Sequence, residues 1–219
     1  MNEYVPPVII QRTYLDEDGH MIDYGHHLAV AANDEWSDEG VNVFTNQDRY
    51  LPIFTVADAL LEHIRVNYDV AIEKIDSFPG HLPLGGGLYS RIVRITPAQP
   101  DQAPLTIGFG EEPGAVTLIA GFYSEFDMWF CGCDSCDDRW EDVAESLEHV
   151  VLHVVREGLA EVIDKRRHGR ARYWLNRRRP QEWSGSVPKT LMRRLDLIEQ
   201  ARVLESLPQG RWSGYTGRK

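Results

Sequence analysis

Between Val70 and Phe122 four apolar runs follow one another: Val70 to Ile75, Leu88 to Thr96, Leu105 to Phe109 and Val116 to Phe122. Their β-branched and aromatic residues suit a pleated, half-buried surface, so each reads as a strand. The links decide how the strands pair. His81 to Gly87 is dominated by turn formers, Pro97 to Pro104 is rich in breakers, and Glu111-Glu112-Pro113-Gly114 suits a tight turn. None has the helical periodicity of a parallel crossover, so the runs are expected to form an antiparallel meander. One face of such a sheet must be covered, and the flanking sequence supplies the cover.

Two amphipathic helices are expected on either side of the meander. Thr45 or Asn46 caps a first helix reaching about Tyr68, with Tyr50, Phe54, Ala57, Leu61, Ile64 and Tyr68 recurring at three and four residues and Pro52 near its first turn. A second begins near Asp137 or Asp138 and runs toward Glu157, its apolar face made of Trp140, Val143, Leu147, Val150, Val151 and Val154. Gly158 marks an end or a kink, and Leu159 to Asp164 either continues the helix or forms a short separate element. Ala171 to Leu175 reads as a further strand, and Ser186 with Pro188 as the opening of a last helix carrying Leu191, Leu195, Ile198 and Leu204 or Leu207. The expected class is α+β, an antiparallel sheet of four to five strands packed against two or three helices. Residues 1–45 form an irregular N-terminal segment in which Val8 to Leu15 and Met21 to Tyr24 can make a hairpin. Residues 46–219 are expected to be one domain, with a basic portion from about 165.

Charge divides the chain at that point. Residues 1–164 carry 30 acidic and 8 basic side chains, and residues 165–219 carry 4 and 15. The basic run Arg166, Arg167, Arg170, Arg172, Arg177, Arg178 and Arg179 interleaves with aromatics, the composition that stacks on single-stranded nucleic acid. The acidic remainder repels nucleic acid and anionic membrane, which favours the chain's own acidic half, or another protein, as the neighbour of these arginines. No apolar run reaches the roughly 18 to 20 residues that span a bilayer, and no leader pattern opens the chain, so a cytoplasmic location is expected.

All 3 cysteines lie in Cys131-Gly132-Cys133-Asp134-Ser135-Cys136-Asp137-Asp138. In a reducing compartment such a cluster is expected to be metal-binding, redox-active or simply free and not a disulfide framework. Three thiolates at this spacing can surround one zinc ion because Gly132 lets the backbone turn tightly, and a tetrahedral site then needs one more ligand. Asp134 is the candidate taken with Cys131, Cys133 and Cys136; Asp137, His20, His26, His27 and His81 are alternatives that spacing does not separate. His149 and His153 sit too far along the second helix to close the same site. Cys133 and Cys136 also have redox spacing at a helix N-terminus, which favours a thiolate. Asp134, Asp137, Asp138, Glu141 and Asp142 nearby oppose that charge and welcome a cation.

Asn46-Gln47-Asp48-Arg49-Tyr50, Ala57-Asp58-Ala59-Leu60-Leu61, Tyr68-Asp69-Val70, Pro104-Leu105-Thr106 and above all Cys131 to Asp137 resemble a family of uncharacterised actinobacterial proteins. The likeness spans roughly residues 45 to 215. It implies a bacterial cytosolic setting and brings no activity, substrate or mechanism.

The expected function is therefore a non-enzymatic protein with a zinc or thiol knuckle and a surface for another protein, itself basic where it meets the acidic body. A thiol-dependent redox enzyme using Cys133 and Cys136 is one alternative. A nucleic-acid binder working through residues 165–179 is the other.

Overall fold

A computed structural model describes residues 2–26, 41–79, 87–128, 130–164, 170–175, 184–187 and 194–218. Five strands, β1 (Val70–Ile75), β2 (Tyr89–Pro97), β3 (Leu105–Gly110), β4 (Val116–Ala120) and β5 (Ser124–Asp127), form an antiparallel meander in the order of the chain. Register keeps Ile95 opposite Leu105 and Ile107 opposite Leu118, so a continuous apolar band crosses the sheet. The expected four strands are present within a residue or two. β5 was not anticipated, because Ser124-Glu125-Phe126-Asp127 lacks an apolar run.

A turn of 3-10 helix (Gln47–Tyr50) leads into helix α1 (Pro52–Asn67), with Pro52 in its first turn where no intrahelical N–H is lost. Helix α2 (Trp140–Glu157) ends at Gly158, whose φ of 75° takes the chain out of the helix. The α2 stripe is buried as its periodicity requires: Val143, Leu147, Val150, Val151 and Val154 all join the core, and Trp140 packs at its edge. Together with Ile53, Leu60 and Ile64 of α1 they meet the sheet's Val93, Ile95, Leu105, Ile107 and Leu118 in one hydrophobic cluster. At about 1.5–3 kcal/mol per buried aliphatic side chain, this layer carries the main stabilisation of the fold.

Leu159 to Asp164 resolves as strand β6 (Ala160–Asp164), which pairs with β7 (Arg170–Trp174), and β7 pairs with β8 (Ser184–Val187), making a second antiparallel sheet. Ser186, read as a helix opener, thus lies in a strand; the last helix, α3, covers Arg194–Ser206. Leu191 and Pro188 lie outside the described residues. The N-terminal hairpin reduces to a Leu15–Met21 bridge over the turn at Asp16–Gly19.

Glu161, on β6, ties the two sheets together. It is 3% exposed, and its carboxylate accepts the N–H groups of Phe122, Tyr123 and Ser124, the Ser124 hydroxyl and the Trp212 indole N–H, at 2.7 to 3.0 Å. Gly121 makes this possible: a Cβ there would lie 2.1 Å from the Glu161 Oε2.

Candidate metal centre

The cysteine segment is a knuckle between β5 and α2, and its shape follows from three aspartates. Asp138 Oδ2 accepts the N–H of Cys131 at 2.7 Å and of Gly132 at 3.3 Å, closing the loop on itself. Gly132 takes φ 72°, a conformation that costs a side chain roughly 1–2 kcal/mol, and the Asp137 N–H bonds Cys133 O at 3.0 Å. Asp134 reaches outward to the N–H and hydroxyl of Thr45, at 3.1 and 2.8 Å, while its own N–H bonds Val43 O at 2.8 Å. Asp137 Oδ2 takes the N–H groups of Gly25 and His26, at 2.5 and 3.0 Å. Two of the carboxylates beside the sulfurs, Asp134 and Asp137, are therefore used to fasten the knuckle to residues 25–26 and 43–45, and Asp138 to close it.

Beneath the knuckle lies Arg49, only 7% exposed. Its guanidinium stacks between the rings of Tyr24 and Tyr50, 4.2 and 4.6 Å from their centroids. It donates to Gly132 O at 3.2 Å and to Thr45 O, and stands 3.8 Å from Asp134. Gln47 Nε2 donates to the same Gly132 carbonyl at 2.7 Å. A buried cation with this many acceptors offsets the local negative charge and holds the loop from below. Sequence reasoning gave Arg49 no role; its one signal was its place in the Asn46 to Tyr50 block.

The three sulfurs converge. Their Sγ atoms all lie within 4.8 Å of one another, with Cys131 and Cys133 at 3.3 Å. A tetrahedral zinc with Zn–S of about 2.3 Å needs sulfurs about 3.8 Å apart, within reach of small side-chain rotations. Cys133 is buried, whereas Cys131 and Cys136 are half-buried. The Cys136 N–H, 3.4 Å from the Cys133 sulfur, holds that thiol down to about 7 against the opposing effect of burial. Hydrogen bonds with the Cys131 and Cys133 sulfurs, together with burial, push Cys136 up to about 12. A lowered Cys133 thiol with two further sulfurs close by is a donor set suited to a soft cation.

Among the described residues, the ligand atoms that group this closely are the three sulfurs alone. Asp134 is adjacent but engaged with Thr45. His26 pairs with Asp23 at 3.0 Å and His20 with Asp16 at 3.4 Å; His27 and His81 lie outside the described residues. The His153 imidazole is largely covered and meets Leu175 O at 3.2 Å, while His149 is exposed. Of the basic run, Arg172 is exposed on β7 and Arg170 opens that strand; Arg166, Arg167, Arg177, Arg178 and Arg179 lie outside the described residues.

The knuckle, the 3-10 turn and α1 all fall inside residues 10–219, which match one protein family along almost the whole chain. The chain belongs to that family, a family of unknown function (DUF6226). No curated protein and no solved structure matches it. No helix among the described residues is long and apolar enough to cross a membrane.

Proposed function

We propose that this is a non-enzymatic protein whose knuckle holds a structural zinc ion through Cys131, Cys133 and Cys136, and whose acidic surface binds another, basic protein. A bacterial, specifically actinobacterial, cytoplasmic setting belongs to the same reading. The observation that carries it is the convergence of three sulfurs on one loop whose carboxylates and buried arginine fix its shape. Zinc would lock residues 25–26 and 43–45 against the start of α2 by rigidifying the loop they are fastened to. Asp134 can complete the tetrahedron only by releasing Thr45. Metal analysis of protein purified under reducing conditions is expected to give one zinc per chain, with loss in Cys136→Ser. Absence of stoichiometric metal from the unaltered protein sinks this reading.

A thiol-dependent redox role has one observation in its favour, the lowered Cys133 thiol with the Cys131 sulfur 3.3 Å away. All three sulfurs, Cys136 included, lie within 4.8 Å of one another, so the Cys133 and Cys136 pair stands beside Cys131 as a candidate. Alkylation of metal-free protein followed against pH tests it: reaction that rises only near the free-cysteine pKa of about 8.5 removes the redox reading. Nucleic-acid binding through residues 165–179 rests on sequence charge, with Arg170 and the exposed Arg172 its arginines among the described residues. Undetectable or salt-insensitive association with single-stranded RNA and DNA removes it.

A further inference from the structure

Residues 2–13 run along the outside of the helical layer as a strap. Asn2 N–H meets Asn67 Oδ1 at 2.8 Å, the Tyr4 hydroxyl meets Glu148 at 2.7 Å, Gln11 meets Glu141 at 3.1 Å and Arg12 meets Asp48 at 2.6 Å. Between Tyr4 and Gln11 the burial alternates as it does along a strand: Pro7 and Ile9 face the body, whereas Val8 and Ile10 face solvent at 94% and 91% exposure, with Val5 at 77%. Ile9 and Arg12 lie over a cavity of about 530 Å³, floored by Leu51, Arg139 and Trp140.

The strap has a strand's side-chain pattern without a strand's partners. Among the described residues no backbone–backbone hydrogen bond involves residues 2–13; the first along the chain joins Ile22 N–H to Tyr14 O. From Val8 to Thr13 a row of N–H and C=O groups therefore stands beside two outward β-branched side chains, the arrangement onto which a foreign strand can add. Pro6 and Pro7, which lack N–H donors, bound the usable stretch on one side, and the bridge at Leu15 bounds it on the other.

Charge says what kind of strand. Residues 1–26 carry five carboxylates and one arginine, and that arginine is held by Asp48. Asp16, Glu17, Asp18 and Asp23 are exposed beside the strap. A second copy would bring the same acidic rim, in a chain of net charge -11, against its own kind. We infer that residues 8–13 are a β-augmentation site for an extended segment of another protein in which β-branched residues alternate with lysine or arginine. Main-chain pairing supplies the adhesion, Val8 and Ile10 cover apolar side chains of the incoming strand, and the acidic rim selects its basic ones. Docking here rests on the protein-binding half of the reading above and is independent of the metal, whose content the same preparation reports separately.

The test uses the full chain and a synthetic peptide of alternating valine and lysine, with its valine–glutamate counterpart as control. Amide hydrogen exchange is expected to slow by at least about tenfold at residues 8–13 on adding the lysine peptide, a protection that fades with added salt. Ile10→Pro removes one N–H at a site 91% exposed. It is expected to weaken peptide binding at least about tenfold while leaving the denaturation midpoint unchanged. No protection at residues 8–13, equal binding of the glutamate peptide, or full binding by Ile10→Pro overturns the inference. So does a homodimer that protects the strap without any peptide.

Discussion

Replacing Glu161 by glutamine changes one atom in a fully enclosed site, and its effect can be worked from the donors. Oε1 accepts from Tyr123 N at 2.7 Å, Ser124 N at 2.9 Å and Ser124 Oγ at 2.7 Å; Oε2 accepts from Phe122 N at 3.0 Å and Trp212 Nε1 at 2.8 Å. An amide nitrogen in either position faces at least two N–H donors that then have no acceptor, and Gly121 at close range leaves no room to swing aside. Stranding two buried donors costs about 1–3 kcal/mol each, so Glu161→Gln is expected to destabilise by about 2–6 kcal/mol. With a urea m-value near 2 kcal/mol/M, the midpoint should fall by about 1–3 M. The opposing possibility is a protonated Glu161, because burial pushes its pKa above the ordinary carboxylate range while the donors from Phe122, Ser124, Trp212 and Tyr123 pull it back. A raised folded pKa means that the fold holds a proton the unfolded chain has released. The stabilisation from that proton is complete below about 4.3 and is lost as pH rises through the folded value. The gap between wild type and Glu161→Gln should therefore narrow as pH rises from about 4.5 and level off above the folded pKa. A glutamine variant with an unchanged midpoint at neutral pH would refute the donor count.

Three further outcomes concern the knuckle. Asp134→Asn keeps an acceptor for Thr45 but removes the charge beside Arg49; retention of one zinc per chain shows a fastening role, and loss of zinc shows that Asp134 is a ligand. Gly132→Ala places a Cβ 3.2 Å from Gln47 Oε1 at φ 72°, and is expected to cost roughly 1–2 kcal/mol in chemical denaturation and to weaken metal retention against a chelator; unchanged values reject the tight-turn account. Metal removal should speed amide exchange at Gly25 and Thr45, whose N–H groups end on Asp137 and Asp134, and exchange there that ignores the chelator would separate the knuckle from those segments.

The meander and both long helices could be read from residues 45 to 157 because local pattern and global burial agree there: the α2 stripe is apolar at helical spacing and is buried at that spacing. The second sheet was less legible. Ala160–Asp164 follows directly on α2 and Ser184–Val187 is short and polar, so neither announces a strand, and β7, itself visible, organises them by pairing on both sides. The closeness of three cysteines was visible in their spacing. The use of Asp134, Asp137 and Asp138 was not, since a carboxylate beside a sulfur looks the same in sequence whether it faces an ion or a distant N–H.

By itself the sequence determined the antiparallel meander, the buried faces of the two helices and the crowding of three sulfurs, because periodicity and chain connectivity are local properties. Only the tertiary structure decided what the charged groups do. Arg49 between two tyrosines, Glu161 under five donors and the outward-turned Asp134 and Asp137 are settled by partners far along the chain, whose approach depends on how the helices, sheets and N-terminal strap close around one core.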